Sequence, residues 1–183
     1  FRRVLFRSTS YSMWFDASDV GLSTNDEDID AIALVANSGS PGGFDLLFST
    51  VGPFSAGGIA GEDEDIVRFR PTSLGATTSG SLSMTFDGSA FGLSGSSSED
   101  VDALAVAADG RLLLSTVGSV SVNRANGTAL TGSSEDVFVF TPTAYGGSGG
   151  LQITAGTYGN SLVFDGSAYG LAGNDIKSLE MPL

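Results

Sequence analysis

Apolar residues along this chain come in short runs, set apart by intervals rich in glycine, serine and aspartate. In the middle of the sequence the runs are "SLSMTFDG" (81–88), "DVDALAVAADG" (100–110), "RLLLSTVG" (111–118) and "EDVFVFTPT" (135–143). Val, Leu, Phe and Thr dominate them and turn-forming residues bound them, so each predicts a β-strand. The Asp-Gly of "ADGR" (108–111) predicts a tight hairpin between the second and third runs, and the matching turn upstream, "NSGSPGGF" (37–44), is longer. No segment keeps a 3.6-residue apolar period between helix caps, so no long helix is expected.

The runs recur. "FDASDVGLSTNDEDIDAI" (15–32), "FDGSAFGLSGSSSEDVDAL" (86–104) and "FDGSAYGLAGNDIKSL" (164–179) are copies of one acidic segment. "FDLLFSTVGPFS" (44–55) matches "GRLLLSTVGSVS" (110–121), and "GEDEDIVRFRPTSLG" (61–75) matches "GSSEDVFVFTPTAYG" (132–146). Self-similarity on this scale marks a repeat architecture. We expect a single all-β repeat domain over 11–183, with repeats 11–80 and 81–150 and a partial one at 151–183. Runs such as "LLL", "VFVF" and "ALAVAA" are apolar on both faces. An up-and-down barrel alternates instead, whereas stacked sheets cover a strand on both sides, as propeller blades do. Two organisations fit. One is β-propeller-like four-stranded blades, leaving an orphan outer strand (Tyr11–Asp16) and an orphan inner strand (Asp175–Met181). The other is a closed ten-stranded pseudo-symmetric ring or barrel of five two-stranded units. Both gather the acidic loops on one rim.

"DALAVAADGRLLLST" (102–116) resembles a blade of the gluconolactonase-like and NHL-type propellers, with an apolar strand, "DG" and a second apolar strand; "AIALVANSGSPGGFDLLFST" (31–50) resembles it less closely. The resemblance implies a propeller. In gluconolactonase-like members it also implies one metal held by Glu, Asn and Asp at the central channel, ligands that map onto no particular positions here. Two blades are fewer than the four or more that close such a ring.

Composition narrows the function classes. The chain has 183 residues and a net charge of −13, which disfavours nucleic acid and anionic membrane as partners. It contains no Cys and no His, which rules out thiol catalysis, disulfides, thiolate or imidazole zinc sites and Ser-His-Asp chemistry. No apolar run is long enough for membrane insertion. "FRRVLFRS" (1–8) matches nothing in the repeats and reads like translated sequencing adapter. We therefore expect residues 1–10 to be an artefactual or disordered tail, the natural start to lie near Thr9 or Ser10 with the true N-terminus missing, and the protein to be secreted or on a cell surface.

The repeated acids are the candidate chemistry. Asp16, Asp28, Asp30, Asp87, Asp100 and Asp102 are hard oxygen ligands of the kind calcium takes. No segment forms an EF-hand loop, and Lys177 stands where the other copies have Asp30 and Asp102. The competing reading is that acids at strand starts bond backbone amides and discourage edge pairing. Phe91 and Tyr169 hold matching loop positions, where they would either stack on a carbohydrate or belong to the core. Acids repeated in every unit argue against a catalytic pair, which is usually unique, so no catalytic residue is assigned. The expected function is a non-catalytic extracellular binding or structural module, calcium-stabilised or carbohydrate-binding, with self-association through the terminal edge strands as a further partner mode. The alternative is a metal-dependent lactonase-like propeller hydrolase. Phe15, Leu47, Phe86, Leu113, Phe138, Phe140 and Phe164 are expected in the core.

Overall fold

The computed structural model describes residues 12–94 and 96–181, and within them the chain is all-β. β1 (Ile29–Ala36), β2 (Phe44–Thr50), β5 (Ile66–Ser73) and β6 (Ser79–Phe86) form one four-stranded sheet in the order β1-β2-β5-β6. β7 (Ala103–Val106), β8 (Leu112–Ser115), β11 (Phe138–Gly146) and β12 (Gln152–Tyr158) form a second in the equivalent order. The connection between the second and third strand of each sheet carries a small hairpin, β3 (Phe54–Ala56) with β4 (Ile59–Gly61) and β9 (Val120–Asn123) with β10 (Ala129–Gly132). All pairs are antiparallel. The "ADGR" turn forms as expected: Gly110, at φ 85°, donates to Ala107 while Ala107 donates to Arg111.

Register explains why the strands are apolar on both faces. Residues directly opposite one another share a face. In the first sheet Ala33, Leu47 and Arg68 lie in one row and Leu34, Leu46, Phe69 and Leu82 in the next, on the opposite face. Leu46, Phe48, Val67, Phe69 and Leu82 pack in one core with Leu22, Phe54 and Ala56, beneath Phe15 and Val20. Ala31, Leu47, Ile66 and Phe86 point the other way into a second core, shared with Leu104, Leu112, Leu114, Phe138, Phe140 and Tyr158 of the second sheet. The sheets are therefore stacked, with the edge strands β1 and β7 neighbours through their side chains and not through a hydrogen-bonded ladder.

Several expectations need correction. Among the described residues no sheet closes on itself, so the ten-stranded ring does not form. The reason is that β6 bonds back to β5 and never pairs with β7. Among the described residues the orphan terminal strands do not form either. Residues 12–16 and Asp175–Met181 make no ladder, while Tyr11 and the tail 1–10 lie outside the described residues. The sequence reading missed both small hairpins. Of the expected core, Leu47, Phe86, Phe138 and Phe140 are buried, whereas Phe15, Leu113 and Phe164 are only half-buried.

Candidate functional site

Most of the repeated acids are occupied with backbone. Each "FD" copy makes a short 3-10 turn, at Ser18–Val20, Ser89–Phe91 and Ser167–Tyr169. The hydroxyls of Ser18, Ser89 and Ser167 donate to Asp16, Asp87 and Asp165, at 2.7 Å in every copy. Glycines at positive φ (Gly21, Gly92, Gly170) end the turns. Glu27 accepts the amides of Ser23, Thr24 and Ser55, and these bonds hold its carboxyl down to about 2. Glu99 repeats the role with Ser94 and Ser121. Asp65 accepts from Glu62 and Gly88, and Asp136 from Ser133 and Gly166. These carboxylates tie successive segments together through donors that would otherwise be unpaired.

Of the six candidate metal ligands, the structure brings three together and separates three. Asp16 and Asp87 serve the turns, and Asp28 is exposed, its carbonyl accepting from Val51. Asp30, Asp100 and Asp102 converge where β1, β7 and the tail 174–181 meet, joined by Asp63 and Glu64 from the β4–β5 connection and by Asp175. Asp100 and Asp30 are within hydrogen-bonding reach of one another. The Ser49 hydroxyl links Asp30 (2.8 Å) to the carbonyl of Val101. Lys177 donates to Asp102 at 2.8 Å and lies 2.6 Å from Asp175, and these bonds raise its own pKa.

Burial without enough opposite charge dominates the electrostatics here. Desolvation pushes Asp100 up to about 8, helped by the neighbouring charges of Asp30 and Asp63. It pushes Glu64 to about 7, helped by the adjacent Asp63 and Asp65 carboxylates, and it raises Asp30. Asp102 rises to about 6 from burial, the Lys177 bond offsetting part of the effect. Asp45 is the contrast. Burial drives it up, but bonds from Ser40, Asn37 and Arg68 outweigh that and hold it low. One oxygen each of Asp63, Glu64, Asp100 and Asp102 is buried with no hydrogen-bond partner. Among the described residues no group of three acids is already set to hold a metal ion.

Asp30 and Lys177 also line a groove of about 410 Å³, whose wall is otherwise largely apolar and includes Trp14, Ile32, Leu34, Leu104, Val106 and Met181. The two candidate ligand-binding aromatics part company. Phe91 stacks on Phe86 (5.2 Å) and meets Phe140 (4.7 Å), half-buried against the inter-sheet core. Tyr169 stacks on Phe164 (5.3 Å) and is 74% exposed. Sequence reasoning passed over Asp63. Its signal was the doubled acid pair "EDED" (62–65), where the matching stretch has "SSED". The chain matches no protein-family model, no curated protein and no solved structure.

Proposed function

We propose that this chain is a non-catalytic structural and binding module, extracellular or on a cell surface, built of propeller-like sheets stacked by one repeated rule. The observation that carries this reading is that equivalent residues do equivalent work in successive copies. Asp16, Asp87 and Asp165 cap the same turn, and Glu27 and Glu99 bond the same two segments. The bond from Val101 to Asp63, where the two sheets meet, reappears where the tail meets the second sheet, from Ile176 to Ser134. Acids spent on backbone amides are part of a scaffold. The likeness of 102–116 to gluconolactonase-like and NHL-type blades supports the propeller-like architecture, and it supports the rival below equally. The exposed Tyr169 ring supports carbohydrate as one class of ligand, since it offers a flat face for a sugar.

The rival, a lactonase-like hydrolase, draws on Asp30, which lines the groove, and Asp100 within hydrogen-bonding reach of it, as a candidate carboxylate pair. Incubating the purified chain with sugar lactones and divalent metals separates the two. The module reading expects no turnover above buffer. Hydrolysis that Asp100→Asn abolishes would overturn it. Retardation of the chain on polysaccharide, lost in Tyr169→Ala, tests the carbohydrate ligand.

A further inference from the structure

The chain makes one kind of junction twice, between the two four-stranded sheets and again where the tail 174–181 meets the second sheet, with a different charge balance in each. At the first, the Val101 amide donates to the carbonyl of Asp63 (3.2 Å); at the second, the Ile176 amide donates to the carbonyl of Ser134 (3.0 Å). With the repeats aligned on these bonds, Asp30 corresponds to Asp102 and Asp63 to Ser134. Asp100 corresponds to Asp175, and Asp102 to Lys177. At the second junction the Lys177 ammonium lies between Asp102 (2.8 Å) and Asp175 (2.6 Å). Two carboxylates there face one built-in cation.

The first junction holds four acids at the matching positions: Asp30, Asp63, Asp100 and Asp102. Among the described residues the ion pairs bring a base only to Asp102, through Lys177 of the other junction. Asp100 and Asp102 are 6% and 1% exposed, and each has a side-chain oxygen buried with no hydrogen-bond partner, as does Asp63. A buried acceptor without a donor calls for an ion or a water, and a buried carboxylate needs an opposite charge more urgently still.

The geometry points to a divalent-cation site at the first junction, held by Asp30, Asp63, Asp100 and Asp102, where a hard ion does what the Lys177 ammonium does at the second. The ligands are all carboxylate oxygens, which suit calcium, an ion that accepts six to eight oxygens in flexible geometry. Without an ion the four acids do not form a closed ligand set; an ion among them would turn the repulsion between ionised carboxylates into attraction. Asp30 lies on the wall of the open groove, which gives the ion a route in. Once bound, the ion would join β1, the β4–β5 connection and the segment leading into β7.

The test uses the full chain stripped with chelator. Calcium is titrated while melting is followed, and terbium is used as a luminescent probe sensitised by Trp14 on the same groove wall. The expected result is a saturable rise of several degrees in Tm at millimolar calcium, reversed by chelator. Terbium luminescence should appear and be competed away by calcium. Asp63→Ser and Asp100→Asn should each lose both responses, while Asp28→Asn and Asp87→Asn keep them. Sodium at matched ionic strength giving the same rise in Tm would reduce the effect to screening of the −13 charge and overturn the site. If a variant melts too low for the thermal readout, terbium binding at low temperature decides; wild-type luminescence from Asp63→Ser and Asp100→Asn would also overturn it.

Discussion

Phe86 and Phe164 occupy the same place in copies of one motif, "FDGSAFGL" and "FDGSAYGL", yet truncating them should have very different effects. Locally they match. Phe86 stacks on Phe91 at 5.2 Å and 13°, and Phe164 stacks on Tyr169 at 5.3 Å and 9°. Beyond the stack they differ. Phe86 is 0% exposed, with its ring against the Phe140 edge at 4.9 Å, because the second sheet closes over it. Phe164 is half-buried and its stacking partner is largely exposed. Removing a fully buried phenylalanine loses the transfer energy and leaves a cavity, so Phe86→Ala should cost about 3–5 kcal/mol. Phe164→Ala loses the aromatic pair and about half of a ring's burial, about 1–3 kcal/mol in all. Its backbone bridge to Val137 does not involve the side chain. Urea unfolding followed by circular dichroism measures both, with an unchanged m-value as the check that the comparison is fair. Equal costs within about 0.5 kcal/mol, or a larger cost for Phe164→Ala, would refute the stacked-sheet account of the core.

Three further outcomes follow from the same geometry. A Cβ on Gly88 would stand 2.5 Å from the Glu64 carbonyl, so Gly88→Ala should lower the melting temperature, whereas the first copy already carries Ala17 there, and Ala17→Gly should leave it little changed. Glu99→Ala strips acceptors from Ser94 and Ser121 and should cost about 1–3 kcal/mol by chemical denaturation. In chelator, stability should fall as pH rises from about 4 to 8. Asp100 and Asp102 keep their protons in the folded chain up to about 8 and about 6, while the unfolded chain releases them near the ordinary carboxylate value. Melting curves across that range should flatten in Asp100→Asn and not in the exposed Asp28→Asn, and a wild-type curve that rises with pH would contradict the assignment.

The strands were legible because their chemistry is local. Val, Leu and Phe runs bounded by Gly and Asp give strands whatever their partners, and runs apolar on both faces correctly implied stacked sheets. The two small hairpins carry turn signals, Gly-Gly in "FSAGGIAG" and Asn-Gly in "VSVNRANGTALTG", but strands of three or four residues do not stand out as apolar runs. Burial of the motif aromatics was not legible, since the same residues are core or surface according to whether a sheet lies over them, and that is a long-range fact. The acidic site was half legible. Asp30, Asp100 and Asp102 were picked out by repetition, but so were Asp16, Asp28 and Asp87. Only the fold distinguishes a carboxylate with a serine hydroxyl at two residues' distance from one facing another carboxylate across a sheet junction.

The two cores also set a timetable for synthesis. The first is assembled from residues between Phe15 and Met84, whereas the second draws on residues from Ala31 to Tyr158. At about 5–20 residues per second, the ribosome needs roughly 4–14 s to carry the chain from Phe86 to Tyr158. During that interval Ala31, Leu47, Ile66 and Phe86 form a finished but naked apolar face on the nascent chain. That face is where a chaperone would bind and where two nascent chains would stick to one another, so slowing translation after Phe86 should raise aggregation more than slowing it after Tyr158.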